Sequence, residues 1–272
     1  MPNDTLPSDR CATKYPILLV HGAGFRDRTR LNYWGRIPKA LARGGARVYY
    51  AGQDAWGTAE RNAEVICRRA REVLAETGAE KLHLIAHSKG GLDARYAVSA
   101  LGLGEHTATL TTISTPHHGS RAMDLLCRLP NVLLRFAAVF VNLACRLLGD
   151  KQPDFYHAAT HLTTAACRRF QETVPDHPGV ICQSYACAMK GPLSDIFFWF
   201  PYLAVKLLEG DNDGLVSVRS SQWGNFRGTI AGPGRRGISH GDAVDLRRIS
   251  VRGADIRDVY VRIVAELKDL GM

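Results

Sequence analysis

The sequence predicts one α/β domain with a mostly parallel central sheet flanked by helices. Two observations carry this. Short apolar runs rich in β-branched residues recur along the chain, and segments of helical periodicity lie between them. Such alternation is satisfied by parallel strands buried on both faces. A length of 272 residues and 46% hydrophobic residues suit one large globular domain and exclude disorder for the bulk.

The elements follow in order. Residues 1–13 are polar and are expected to form a flexible lead-in, with a single domain over 14–272. Pro16-Ile-Leu-Leu-Val20 is a buried strand ending at His21-Gly22. Tyr33 to Gly44 reads as a helix closed by Gly44-Gly45, and Ala46 to Tyr50 as a second strand. Thr58 to Thr77 is a long amphipathic helix with Thr58 as its N-cap. Leu82 to Ala86 is a third strand, and a helix runs from Leu92 to about Leu101. Leu110 to Ser114 and Val180 to Ala188 are the fourth and fifth strands, and a helix ends the chain. Two stretches interrupt the alternation: a long insertion over 120–165 and a shorter, strongly apolar one over 191–212.

The formal charge is +9, mostly from arginines in scattered pairs such as Arg68-Arg69 and Arg235-Arg236. Nucleic-acid binding would concentrate that charge in a stripe, so no nucleic acid is expected. Attraction to an anionic membrane surface stays open. No uncharged apolar run reaches the roughly 18 residues of a spanning helix. The seven cysteines show no metal-ligand spacing, and the N-terminal stretch has no basic segment leading into an apolar core. Free thiols and a cytoplasmic location are expected, with secretion the alternative if the native N-terminus differs.

The chemistry centres on Ala86-His87-Ser88-Lys89-Gly90-Gly91, at the end of an apolar strand and the start of a helix. That is the context of a nucleophile elbow, a sharp turn tolerating only small residues beside the serine; Ala86 and Gly90 supply them. The bland alternative is a serine N-cap. A nucleophilic serine needs a base oriented by an acid, in the chain order Ser, acid, His. His240, before the C-terminal helix, is the far-downstream histidine. Asp213, in Asp211-Asn212-Asp213-Gly214-Leu215-Val216, is the best acid, and Asp211 is its near rival. Charge building on the substrate oxygen calls for backbone donors. The N–H of Ala23, after the first strand, and that of Lys89 are the candidates. His21 reads as a structural ring tying down the glycine turn, and the adjacent His117 and His118 as part of a fold turn rather than metal ligands.

Five segments together resemble the bacterial true lipases (triacylglycerol lipases) of the α/β-hydrolase superfamily. They are Lys14-Tyr-Pro-Ile-Leu-Leu-Val-His-Gly22, Tyr33-Trp-Gly-Arg-Ile-Pro38, Ala86 to Gly91, Thr115-Pro-His-His-Gly-Ser120 and Asn212-Asp-Gly-Leu-Val216, in family order over nearly the whole chain. The resemblance implies an α/β-hydrolase fold with a helical lid, and ester hydrolysis through an acyl-serine with Ser88, Asp213 and His240 as triad. No cofactor is required for that chemistry. Secreted members carry a cysteine of a disulfide just after the Asn-Asp-Gly segment; Ser217-Val-Arg-Ser220 stands here instead. The resemblance also leaves room for a structural calcium at Asp242 and, allowing a deletion, Asp195.

Residues 125–148 place Arg128, Arg135 and Asn142 at a seven-residue spacing, which leaves a narrow polar stripe and a wide apolar face. One long helix is expected after Pro130, either buried in the core or acting as a lid. Leu133, Phe136 and Phe140, with Phe197 and Trp199 of the second apolar stretch, are the candidates for lid and acyl pocket. The expected substrate is a medium- to long-chain lipid-like ester, with contact at lipid aggregates or a membrane surface. The oligomeric state is unknown. Alternatives are a polyester or polyhydroxyalkanoate depolymerase or an acyltransferase on the same triad, and a non-catalytic membrane-associated binding module.

Overall fold

The computed structural model describes residues 9–24, 26–27, 32–232, 234–250 and 255–272. Six parallel strands form one sheet in the order β2-β1-β3-β4-β5-β6. They are β1 (Ile17–Val20), β2 (Val48–Tyr50), β3 (Leu82–His87), β4 (Thr107–Ile113), β5 (Ile181–Cys187) and β6 (Asn225–Ile230). The flanking helices are α1 (Ile37–Arg43), α2 (Ala59–Thr77), α3 (Lys89–Ala100), α4 (Arg121–Leu126), α5 (Asn131–Leu147), α6 (Phe155–Thr160), α7 (Thr164–Thr173), α8 (Trp199–Glu209), α9 (Val218–Ser221) and α10 (Ile256–Asp269).

Strand alternation builds two cores, one on each face of the sheet. Ile17 and Leu19 of β1 join Ile37, Leu41, Tyr260 and Ile263 beneath α1 and α10. Leu18 and Val20 join Ile66, Ala70, Leu84 and Val98 beneath α2 and α3. Thr58 caps α2 by accepting the Arg61 N–H, and Gly78 ends the helix in the left-handed conformation. The expected strands appear with small shifts, such as β4 starting at Thr107.

Two features differ from the sequence reading. β6 was not anticipated; it is an edge strand that alternates exposed and half-buried residues and contains Arg227 and Gly228. The lead-in lies outside the described residues as far as residue 8. Over 9–13, however, the chain is fastened to the domain: Cys11 is fully buried and its N–H donates to the Gly44 carbonyl at 2.6 Å. All seven cysteines are free thiols. Among the described residues no helix is long and apolar enough to cross a membrane.

The 120–165 insertion carries α4, α5 and α6. Its helix α5 is anchored at its C-terminal end by crossed carboxylate caps. Asp150 accepts the N–H groups of Ala55 and Trp56 at 3.1 and 3.2 Å, and Asp54 accepts those of Lys151 and Gln152 at 2.9 and 2.6 Å.

Candidate active site

Parallel strands end on one side, and β1 and β3 are neighbours with Val20 opposite Ala86. The turns after both strands therefore meet at the carboxyl edge, where the chain leaves the sheet in opposite directions; open α/β sheets bind ligands at such points. Ser88 follows β3 directly. Its backbone sits at φ 54°, ψ −137°, a strained conformation for a residue with a side chain. Ser88 makes no capping bond to α3, so the N-cap alternative is not what the hydroxyl does.

The small flanking residues are required by close approach. A Cβ on Gly90 would stand 2.2 Å from the His21 carbonyl oxygen, and one on Gly22 would stand 2.7 Å from both Ser88 Cβ and the Tyr33 hydroxyl. The turn carrying Ala23 thus lies against the serine. The Lys89 N–H is the first amide of α3, and such amides have no acceptor within their own helix.

Ser88, His240 and Asp213 meet across 152 and 27 residues of chain. The Ser88 hydroxyl donates to His240 Nε2 at 3.0 Å, and His240 Nδ1 donates to Asp213 Oδ2 at 2.7 Å. Asp213 is held from both ends. Its Oδ1 accepts the N–H groups of Leu215 and Val216 at 3.0 and 2.9 Å, and its carbonyl accepts the His240 N–H at 2.8 Å. Asp213 is buried, whereas the rival Asp211 is exposed and pairs with Lys206 at 2.6 Å.

Side-chain contacts not anticipated from the sequence complete the surroundings. The His87 ring lies 4.5 Å from that of His240, and its Nδ1 bonds the Tyr33 hydroxyl at 2.8 Å. Burial holds His87 well below the ordinary histidine pKa. The Phe198 ring meets His240 edge-on at 6.2 Å. Lys89 Nζ turns inward to Asp93 at 2.7 and 2.9 Å, and Asn62 donates to the same carboxylate at 2.7 Å. Lys89 and Asp93 are an i,i+4 pair on α3, whereas Tyr33 and His87 stand 54 residues apart, and no short-range pattern announces that contact.

His21 is buried between the carbonyls of Gly22 and Gln53, at 2.8 and 2.9 Å, and burial lowers its pKa to about 4. His117 stacks on Trp223 and bonds Thr112, and His118 bonds the Gln222 carbonyl, so neither ring is set out for a metal.

Asp195 and Asp242 are brought together, as the calcium reading required, but their oxygens are already engaged. Asp195 Oδ1 accepts from the Phe197 N–H and Arg247; Oδ2 accepts from the Ser239 hydroxyl and Arg247. Asp242 Oδ1 accepts from Arg247, and Oδ2 from the Ser239 N–H and Arg236. Calcium needs six to eight oxygens with lone pairs turned to it. Here the two carboxylates are neutralised by two guanidinium groups, and this donor set does not fit the ion.

The candidate lid and pocket residues are exposed: Leu133 by 56%, Phe136 by 65%, Phe140 by 58%, Phe197 by 79% and Trp199 by 48%. The buried-helix alternative for α5 therefore fails. Two residues of its polar stripe tie it to α6. Asn142 accepts the Phe155 N–H at 2.9 Å, and Arg135 lies over the Tyr156 ring at 5.1 Å. Leu134, Ala138 and Cys145 are the buried positions of α5, and the large apolar side chains of its other face are turned to solvent.

A parallel sheet with a strained serine at the carboxyl end of a central strand, bonded to a histidine and an aspartate in that chain order, defines an α/β-hydrolase. No protein-family profile matches the chain. It is 31% identical over 261 residues to triacylglycerol lipase 2 of Saccharomyces cerevisiae, an alignment covering 89% of this chain and 74% of that protein. It is 34% identical over 177 residues to a triacylglycerol lipase of Pseudarthrobacter phenanthrenivorans, covering 60% of this chain and 55% of the relative. Among solved structures, a mature Bacillus licheniformis lipase superposes with a TM-score of 0.69 over 96% of both chains at 19% identity, a likeness of fold. The chain belongs to the triacylglycerol lipase family of carboxylic ester hydrolases.

Proposed function

We propose that this chain hydrolyses medium- to long-chain lipid-like esters through an acyl-Ser88 intermediate. The observation that carries the reading is the unbroken Ser88–His240–Asp213 relay on a strained serine. His240 Nε2 takes the Ser88 proton as Oγ attacks the ester carbonyl. Asp213 holds the tautomer and stabilises the imidazolium. The Ala23 and Lys89 amides receive the oxyanion. As the tetrahedral intermediate collapses, the C–O bond to the alcohol breaks and His240 returns the proton to the leaving oxygen. Water then attacks the acyl-serine with His240 as base, releasing the acid and restoring Ser88.

The outward apolar faces of α5 and α8 support contact with lipid aggregates or a membrane surface. Monomeric proteins seldom leave contiguous apolar surface of this kind exposed without an interaction to serve. The test is a p-nitrophenyl ester series of rising acyl length, measured below and above the solubility limit. Rates should rise with length and jump at the limit. Ser88→Ala should lose about 10⁴–10⁶-fold in kcat. Comparable activity in the purified variant would overturn the reading.

A further inference from the structure

Asp195 and Asp242 are nearly inaccessible, at 2% and 5% side-chain exposure. Two buried carboxylates repel each other unless a positive group lies between them. Arg247 supplies it. Its Nη2 bridges Asp195 Oδ2 at 2.6 Å and Asp242 Oδ1 at 2.9 Å, and its Nη1 reaches Asp195 Oδ1 at 3.1 Å. Arg236 adds a second guanidinium, 2.7 Å from Asp242 Oδ2 and 3.9 Å from Asp195 Oδ2.

Between them Ser239 ties the two acids to the loop. Its hydroxyl donates to Asp195 at 2.6 Å and accepts the Asp242 N–H at 3.2 Å, and its N–H donates to Asp242 at 3.1 Å. Ser239 immediately precedes His240, and Asp242 stands two residues after it. The segment Gly191 to Phe198, earlier in the chain, is fixed through Asp195 and ends on the ring that meets His240.

We propose that Arg247, assisted by Arg236, is a positioning residue for His240, its guanidinium doing between Asp195 and Asp242 the bridging that a divalent cation would otherwise do. The planar fork suits this task, because it holds two carboxylates at fixed angles with directed bonds. A dication added here would meet two guanidinium groups and no uncommitted carboxylate. The reaction is therefore calcium-independent, and the arginines set the geometry on which the rate depends.

This inference rests on His240 as the base, and the experiment separates the two. Wild-type enzyme is dialysed against EGTA and assayed on a soluble p-nitrophenyl ester, with Tm and the rate of fluorophosphonate labelling of Ser88 measured alongside. The Arg236→Gln/Arg247→Gln variant is treated likewise. EGTA and added calcium should leave wild-type rate, labelling and Tm unchanged. The double variant should lose about 10–100-fold in kcat and in labelling rate, the range typical for removing groups that orient a reactive side chain. KM should stay within about twofold, as for an interaction expressed only in the transition state. Where circular dichroism shows that the double variant does not fold, Arg247→Lys, which keeps the charge and loses the fork, should show the same kcat loss in smaller degree at unchanged KM. Wild-type activity that EGTA abolishes and calcium restores would overturn the proposal. So would folded variants with lowered Tm and unchanged kcat, a purely structural role. Wild-type protein that fluorophosphonate does not label would instead overturn the triad.

Discussion

The elbow and the α5–α8 surface are opposites in polarity. At the elbow, polar side chains are buried: Ser88, Lys89, Asp93, Asp213 and His240 each find a partner inside an apolar sheet. On α5 and α8, large apolar side chains are exposed, while Asn142 and Arg135 of α5 engage Phe155 and Tyr156 of α6. Each arrangement violates the ordinary partition of residues, and each costs stability that a purely structural protein would not give up. The difference teaches where reactivity and contact are divided. In the proposed reading the buried polar relay holds atoms in fixed positions for chemistry, and the exposed apolar face is the one that a lipid surface would bury.

The comparison breaks most sharply at the acid. Asp213→Asn keeps the shape of the site but favours the wrong imidazole tautomer, and kcat should fall about 10⁴-fold on soluble and emulsified esters alike. A fall confined to emulsions would place Asp213 with the contact surface instead. The second effect is on stability. Burial holds His21 and His83 at about 4, below the ordinary 6.5. The folded state then binds fewer protons than the unfolded one. The stability from these rings is complete above pH 6.5 and is lost as pH falls through 4, roughly 3 kcal/mol for His21 alone. Urea midpoints should drop over that window, and less steeply in His83→Gln. Midpoints that stay level would show that the buried rings are not neutral. The smallest effect belongs to the surface. Phe136 and Phe140 stack edge-on at 5.0 Å on its outer side. Phe136→Ser/Phe140→Ser should lower emulsion rates about tenfold and leave the soluble ester unchanged. Equal losses on both would move these rings into the reaction site.

What the sequence made legible follows the range over which its signals act. Ser88 was readable because the elbow is local: strand, small residue, serine, glycine. Strands β1 and β3 were readable because both faces are buried and the apolar residues are nearly continuous, and the half-buried β2 because Val48, Tyr49 and Tyr50 are strong strand formers. Strand β6 was not, since an edge strand needs only one neighbour and Asn225, Arg227 and Thr229 fit a solvent-facing pattern. The acid was narrowed to two residues, and folding chose between them, burying Asp213 and leaving Asp211 to Lys206. The apolar face of α5 was visible as periodicity, but its direction depends on the Phe155 amide and the Tyr156 ring, which lie on another element. Asp195 and Asp242 were found as a pair, while their arginine partners were not, because Arg236 and Arg247, close to Asp242 in sequence, reach Asp195 only across 41 and 52 residues of chain.

The ring of His87 beneath His240 has a consequence for the proton count of the reaction. An imidazole next to the base could share the incoming proton or oppose the charge that forms. Burial, with the Tyr33 hydroxyl on its Nδ1, holds the His87 pKa well below the ordinary histidine value, which disfavours a second charge beside the imidazolium. The Ser88 hydroxyl thus has His240 Nε2 as its hydrogen-bonded acceptor, and the ring packed beside that acceptor is biased against taking the proton itself.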